Sequence, residues 1–376
     1  MMKSAHYFDY NASCLMHPKV AKAYTKILAK QANPSSPHAF GRQAREMIES
    51  AREKLAAFVG AARPSQIIFT GSATESNNML LRSVQQQLQP GEHIIVSAIE
   101  HPCILDTIQV LASEGVQVKI AKVNRCGYID LDYLDTIMDE QTAFVSIMLA
   151  NNETGVIQPL AEIAERCRRY NALLHTDASQ VLGRLPVDFQ VLDVDMASFS
   201  AHKCYGPQGV GALYLKDVTS LKPLMFGGSQ EQLLRPGTQN VAGIHAFGLA
   251  IDVVTQLGEA EQQRLASLKQ YFLDQLAKAG ISFHHYGANT DTLINTCNLA
   301  FGNHTGERVA TNLDLVGFAV GTGAACSTGS IDASHVLLAM GYSEEEALRG
   351  LRFSMGYATD QVAIDALVDA LKAIVS

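Results

Sequence analysis

Lys203 stands in Asp195–Tyr214, DMASFSAHKCYGPQGVGALY, among hydroxylic, small and glycine residues and away from any run of charge. Met196–Ser200 reads as a strand, Gly206, Pro207, Gly209 and Gly211 as a turn, and Ala212–Leu215 as a second strand. Such a turn would hold the amine close to a protein interior, beside Ser200 and His202. Partial desolvation lowers a lysine's pKa and suits an amine that must form a Schiff base with an aldehyde. A surface lysine in a glycine-rich turn is the plainer alternative. Asp177 comes 26 positions earlier, after the apolar Leu173-Leu174-His175. An Asp at a strand's carboxyl end sits where open α/β sheets bind ligands. There a carboxylate could keep the ring nitrogen of a pyridine cofactor protonated as an electron sink, or it could simply cap the next helix.

Further positions carry side chains that could act on a small molecule. His101 follows Glu100 just beyond HIIVS (93–97), where an imidazole could stack on a ring or move protons at a substrate carbon, or else cap a helix or fill a core. Asn152, in Asn151-Asn152-Glu153-Thr154-Gly155 after AFVSIML, is placed for a polar contact to a ring oxygen, although such turns are common without a function. Arg352 is flanked by apolar Leu351 and Phe353, so it is either paired structurally or free to grip a carboxylate with its fork. Gly71-Ser72-Ala73-Thr74 joins a strand to a helix N-terminus, where free amides and the helix dipole favour a phosphate; capping alone is the simpler reading. Cys326 lies in GTGAACSTGS (321–330), a run too small and flexible to pack a core, which reads as a mobile loop over about 321–334 presenting one thiol.

These side chains need elements to place them. Gln66–Thr70, His93–Ser97, Gln117–Ala121, Ala143–Leu149 and Ala172–Thr176 read as short apolar strands, alternating with helices at Ser76–Gln87, Ile104–Ser113, Leu131–Asp139 and Leu160–Tyr170. The alternation predicts an α/β fold with a mainly parallel sheet covered on both faces. Pro18–Gly60 is helical apart from a break at Asn33–Pro37. From Val241 to about Ala279 a long helix changes from small and apolar to charged and amphipathic, as a segment passing between domains would. Ser282–Ser376 then alternates strands such as Thr296–Phe301 with helices such as Asp360–Ile374. The expected division is a large domain, 15–256, and a smaller α/β domain, 1–14 with 257–376. At 376 residues and 47% hydrophobic, the chain can bury a large core. A net charge of -8 with no basic run argues against nucleic-acid or membrane-surface binding. Seven scattered cysteines without C-x-x-C predict thiols in a reducing compartment, and no metal site is expected. The N-terminal stretch lacks an apolar core of signal-peptide length, so a cytoplasmic protein is expected.

Taken in order, YFDYNAS at Tyr7, NPSSPHAFGRQAR at Asn33, FTGSATESNN at Phe69, EHPCIL at Glu100, NNETGVIQPL at Asn151, HTDASQVLGR at His175, SFSAHKCYGPQGVGALY at Ser198, GGSQEQLLRPGTQN at Gly227, GTGAACSTGS at Gly321 and LRFSMG at Leu351 resemble the cysteine desulfurases of the NifS and IscS type. These belong to the class V aminotransferase-like, fold type I pyridoxal-phosphate enzymes, and the resemblance spans nearly the whole chain. It implies a seven-stranded, mainly parallel sheet flanked by helices in the large domain, and conversion of L-cysteine to L-alanine with pyridoxal 5'-phosphate as cofactor. It also implies a homodimer and a sulfur-acceptor protein such as an iron–sulfur scaffold. By resemblance Lys203 is the Schiff-base lysine, Asp177 the partner of the ring nitrogen, and His101 the ring-stacking residue that helps move protons. Gln180 and Asn152 would lie at the phenolic oxygen; Ala73, Thr74, Ser200 and His202 would hold the phosphate, joined by Thr238 of the neighbouring subunit. Arg352, with Asn33, would hold the substrate carboxylate, and Cys326 would take the sulfur as a persulfide. The rival readings are a selenocysteine lyase, an aminotransferase or another lyase without a sulfur relay, and a noncatalytic scaffold of the same fold. Three departures from the family pattern stand out: Ser13-Cys14 replaces two threonines, GTGAAC replaces SSGSAC, and the C-terminus, which in housekeeping members helps to dock the scaffold protein, is short.

Overall fold

Apolar runs too short for helices become strands of one large sheet. In the computed structural model, which describes residues 4–29, 32–323 and 332–375, the chain opens with β1 (Tyr7–Phe8), α1 (Pro18–Leu28) and α2 (Ala39–Phe58), the two helices separated at the predicted Asn33–Pro37 break. There follow β2 (Ile67–Thr70), α3 (Ala73–Gln85), β3 (His93–Ser97), α4 (Pro102–Ser113), β4 (Gln117–Ala121), α5 (Leu131–Ile137) and β5 (Thr142–Ser146). Then come α6 (Leu160–Arg169), β6 (Leu173–Asp177), β7 (Met196–Ser200) and β8 (Gly211–Leu215). Every residue of β2, β3, β7 and β8 is buried, as happens when helices cover both faces of a sheet.

The strand order is β2-β8-β7-β6-β5-β3-β4. Strands β4, β3, β5, β6 and β7 run parallel, whereas β8 is antiparallel to both its neighbours. Two antiparallel steps restore direction, so β2 points the same way as β7. The carboxyl ends of β2, β3, β5, β6 and β7 therefore open on one edge, the edge where such sheets bind ligands. Thr74, His101, Asn152, Asp177 and Lys203 all lie at or just past those ends.

Local capping sets where the helices at this edge begin. α3 starts three residues before the Ser76 that the apolar pattern suggests, because Ser72 Oγ accepts from Glu75 N–H at 3.1 Å and so satisfies a first-turn donor. The turn fits only because Gly211 faces it. A Cβ at Gly211 would lie 2.4 Å from the Ser72 carbonyl carbon and 2.7 Å from its Cα.

Beyond β8 the chain forms α7 (Val241–Lys278), β9 (His284–Tyr286), β10 (Thr296–Ala300), α8 (Gly306–Leu315), β11 (Ala319–Thr322), α9 (His335–Ala339), α10 (Glu344–Ala347), β12 (Leu351–Ser354) and α11 (Gln361–Val375). α7 breaks at Gly258, where φ is 51°, close to where its composition changes. By length and composition α7 could cross a membrane, with a mean hydropathy of 1.4 over an 18-residue window, but 61% of that window is buried within the protein. A second sheet runs β1-β11-β12-β10-β9 and brings the N-terminal strand beside β11. Its core joins Phe8, Phe272, Leu299 and Phe353 to Ile364, Leu367 and Leu371, which recur at helical spacing on α11.

Gly211→Ala forces a methyl into the Ser72 backbone. It is expected to destabilise the fold by about 1–3 kcal/mol, the usual range for overpacking, and to weaken ligand binding at the start of α3. Denaturant unfolding of the variant beside wild type checks this.

Candidate active site

The turn after β7 pushes Lys203 inward. Its Nζ donates to the backbone oxygens of Asn11 at 2.6 Å and Ala12 at 2.8 Å, and among the described residues no carboxylate bonds it. Burial, then the nearby Arg352 and Arg184, lower its pKa from 10.5 to about 8. The amine faces a cavity of about 620 Å³ whose walls include Thr74, His101, Asn152, Asp177, Gln180 and Arg352. Ala73, Ser200 and His202 line it too.

Asp177, at the end of β6, is held on both oxygens. Oδ2 accepts from Asn77 Nδ2 at 2.8 Å and Oδ1 from Ser179 N–H at 2.9 Å. His101 caps α4: Nδ1 accepts from Cys103 N–H at 3.1 Å, which leaves the ring proton on Nε2. Burial lowers the His101 pKa, so the ring is neutral near pH 7. His202 is pushed down to about 4 by burial, with Lys203 and Arg184 adding to the effect, and its Nδ1 lies 3.1 Å from Ser13 Oγ. Ser13 thus fills a polar place despite its departure from the family pattern. Gln180 Nε2 donates to Asn11 O at 3.0 Å.

Arg352 enters from the other sheet. β12 lies between β10 and β11, with Arg352 opposite Asn298 on one side and Gly321 on the other. Its Nη2 donates to Asp9 Oδ1 at 2.7 Å and its Nη1 to Asn152 O at 3.1 Å, while Nε has no partner among the described residues. A Cβ at Gly321 would lie 2.6 Å from both Nη2 and Asp9 Oδ1; that position must be bare for this pair to form.

The cavity therefore gathers ten of the thirteen residues expected at the site. Asn33 does not line it; its Oδ1 accepts from Ser35 N–H at 2.9 Å. Thr238 is exposed on the loop before α7 and lies outside the cavity of its own chain. Cys326, with most of its expected loop, lies outside the described residues. Sequence reasoning missed Asn11, Asn77, Glu153, Ser334 and His335. Asn77 could have been found, since it lies three residues after Thr74 on α3 and so on the same helical face. Glu153 is buried and its Oε2 accepts from Ser334 Oγ at 2.6 Å; burial pushes its carboxyl up. Glu100 is also driven well above its ordinary value by burial. No cluster of three potential metal ligands occurs among the described residues.

A lysine, an aspartate and a histidine at the strand ends of this sheet, closed by an arginine from a smaller sheet, define a fold type I pyridoxal-phosphate enzyme. Residues 6–367 match the family model for aminotransferase class-V, and the chain belongs to that family. It is 40% identical to cysteine desulfurase IscS of Dictyoglomus turgidum over 100% of this chain and 95% of that one. The solved structure of a NifS-like protein aligns with a TM-score of 0.90 at 33% identity, covering 100% of this chain and 99% of the other. The solved structure described as SspA in complex with cysteine gives 0.83 at 34%, covering 93% and 98%.

The residues present fit pyridoxal phosphate. The cavity has room for a small substituted ring and a substrate, the first-turn amides at Ala73 and Thr74 offer donors that no helix carbonyl can take, and the buried Ser179 Oγ and Arg352 Nε lack partners among the described residues. Lys203 and Arg352 line the cavity, and Arg184 is near enough to perturb both Lys203 and His202. The surroundings therefore favour an anionic ligand.

The depressed Lys203 pKa makes a signed prediction for the cofactor-free protein. Below about pH 8 both folded and unfolded chains carry the proton and the burial penalty is complete. Between about 8 and 10.5 the unfolded chain binds more protons, so this group's contribution to stability rises with pH. The gain is of order 3 kcal/mol from a shift of this size. In urea unfolding across that window, wild type minus Lys203→Met should show the rise; parallel profiles would contradict it.

Proposed function

We propose that the protein is a pyridoxal-phosphate-dependent cysteine desulfurase that converts L-cysteine to L-alanine and passes the sulfur to its own Cys326. The single observation that carries this reading is the meeting of Lys203, Asp177, His101 and Arg352 around one cavity in a chain 40% identical, over its whole length, to a cysteine desulfurase. When bound, the cofactor supplies an aldehyde for the substrate amine and an electron sink conjugated to Cα. Asp177 would face the ring nitrogen, His101 the ring, and Gln180 and Asn152 the phenolic oxygen. Ala73, Thr74, Ser200 and His202 would hold the phosphate, together with Thr238 of a second copy.

Arg352 binds the substrate carboxylate, whereas Asn33, outside the cavity wall, is given no part in it. With its pKa near 8, Lys203 can shed and regain a proton close to neutrality, which suits it to move the proton at Cα. The neutral imidazole of His101 carries its proton on Nε2, since Nδ1 accepts Cys103 N–H, and so presents a hydrogen-bond donor to the cavity. The Cys326 thiolate attacks the cysteine sulfur. An S–S bond forms, the Cβ–S bond breaks with its electron pair on carbon, and a proton completes the methyl group of alanine. The persulfide then goes to an acceptor protein, for which an iron–sulfur scaffold is the natural candidate by relation to the IscS type.

The working unit is a homodimer. Phe226 is 88% exposed and Leu233 64%, and both precede Thr238 in the stretch between β8 and α7, so exposed apolar side chains accompany the residue assigned to the neighbouring site. Residues 15–256 form the large domain and 1–14 with 257–376 the small one, a division supported by the break at Gly258 and by the separate core around Phe353. The cytoplasm is its compartment, which suits the free thiols at Cys14, Cys103 and Cys167.

Two variants test the chemistry. Lys203→Ala should leave no borohydride-fixable cofactor, and reduction followed by peptide mapping of wild type should place pyridoxyl on Lys203 and no other lysine. Cys326→Ser should keep the visible cofactor band and its change on adding cysteine, yet lose alanine formation, because a serine hydroxyl is far too weak an acid to replace a thiolate. Normal alanine output from that variant would establish a lyase without a sulfur relay.

A further inference from the structure

The loop that carries Thr238 leaves the protein in a left-handed backbone. Glu231, Gln232 and Leu233 have φ of 45°, 58° and 68°, a region that such residues seldom occupy and that persists only where the surroundings impose it. Glu231 imposes it here. Its carboxylate is buried and accepts two bonds from Arg52, Nη1 to Oε2 at 2.7 Å and Nη2 to Oε1 at 2.9 Å. It also accepts Phe69 N–H at 2.8 Å and Gln239 Nε2 at 2.8 Å. Arg52 Nη1 in turn donates to Ile67 O at 2.6 Å.

Ile67 and Phe69 belong to β2, an end strand of the seven-stranded sheet. The ion pair takes the carbonyl and the N–H that a further strand would have taken, so it closes an edge that would otherwise invite unwanted pairing. β2 is also the strand that runs straight into Gly71–Thr74. A second tie reaches the same turn: Arg235 Nε donates to Glu75 Oε1 at 2.7 Å, and Glu75 Oε2 accepts Gly71 N–H at 2.9 Å. Gln239 directly follows Thr238, so its bond to Glu231 clamps the chain on one side of Thr238 while Arg235 clamps it on the other. Thr238 itself is exposed and has no hydrogen-bond partner among the described residues.

We propose that the Arg52–Glu231 pair, through Gln239, is a positioning device. It uses the open edge of β2 as a fixed rail and sets the place at which Thr238 is presented to the phosphate site of a second copy of this chain. This rests on the reading of Thr238 as a phosphate contact across the dimer.

Cofactor-free Thr238→Ala, Gln239→Ala, Glu231→Gln and the double variants of Thr238→Ala with each of the other two are titrated with pyridoxal phosphate, following the visible band. Melting of the cofactor-free proteins and sedimentation run alongside. Thr238→Ala should weaken affinity roughly tenfold, the effect of losing one hydrogen bond to a charged group. Gln239→Ala and Glu231→Gln should weaken it comparably with the dimer intact. Each double variant should bind no worse than Thr238→Ala alone, since positioning a hydroxyl that has been removed changes nothing. A general structural role would instead give additive losses, which overturns the inference. Wild-type affinity in Gln239→Ala and Glu231→Gln beside a weakened Thr238→Ala also overturns it, and leaves the Thr238 reading standing. Wild-type affinity in Thr238→Ala overturns that reading and the inference with it. Should Glu231→Gln fail to fold, the half-buried Gln239 decides by the same criteria.

Discussion

Asn11 is the residue on which the geometry of the site depends. It is 1% exposed, and its backbone oxygen accepts Lys203 Nζ at 2.6 Å and Gln180 Nε2 at 3.0 Å. Its side-chain oxygen accepts Arg184 Nη1 at 3.0 Å, and its Nδ2 donates to Thr296 Oγ1 at 2.9 Å and to Asn152 O at 3.1 Å. Its own N–H donates to Ser354 Oγ at 2.9 Å. Thr296 and Ser354 are strand residues of the five-stranded sheet, whereas Lys203, Gln180 and Arg184 follow strands of the seven-stranded one. One buried amide with every hydrogen-bonding position used thus ties Lys203 to the sheet that carries Arg352. A fully satisfied polar residue of this kind specifies one arrangement, because leaving any of its groups unpaired in a low dielectric is costly.

That arrangement concentrates positive charge. Arg184 is buried and, among the described residues, bonds only carbonyls, amide oxygens and a thiol. Its charge and that of Arg352 act on Lys203 in the same direction as burial. The carboxyl groups that could balance them do so incompletely, since burial raises the pKa of both Glu100 and Glu153. A buried cation without a full counter-charge is unfavourable, so the excess positive charge here carries an electrostatic cost. A phosphate and a substrate carboxylate relieve it. The anionic ligand is thus part of what makes the cavity stable, and the lowered lysine pKa follows from the same imbalance.

Much of this was legible in the sequence, and for local reasons. Strand, small-residue turn and helix announce themselves by apolar runs and capping residues, so the Gly71–Thr74 turn, the strand before Asp177 and the turn at Lys203 stand within a few residues of where the pattern places them. In a parallel sheet that is enough to put Thr74, His101, Asp177 and Lys203 on one edge, because direction alone decides it. What stayed hidden depends on contacts between distant segments. Asp9 meets Arg352 and Asn11 meets Ser354 only because β1 docks beside β11. Nothing in the local pattern of either partner announces the other. Glu231 lay within a quoted motif, GGSQEQLLRPGTQN, yet its bond to Arg52 depends on a backbone turn that no propensity favours.

The Asp9–Arg352 pair shows how the protein keeps an arginine buried in the cavity wall. A guanidinium 4% exposed needs a counter-charge, and Asp9 supplies it on Nη2 while Asn152 O takes Nη1. Those two bonds use two of the five N–H groups, and Nε has no partner among the described residues, so donors remain for a carboxylate. Gly321 has a role in the same economy of space: without a Cβ it lets the guanidinium lie against the backbone and reach Asp9. Gly321 thus gives up a side chain and leaves room for an arginine that stays paired and still has a donor to offer.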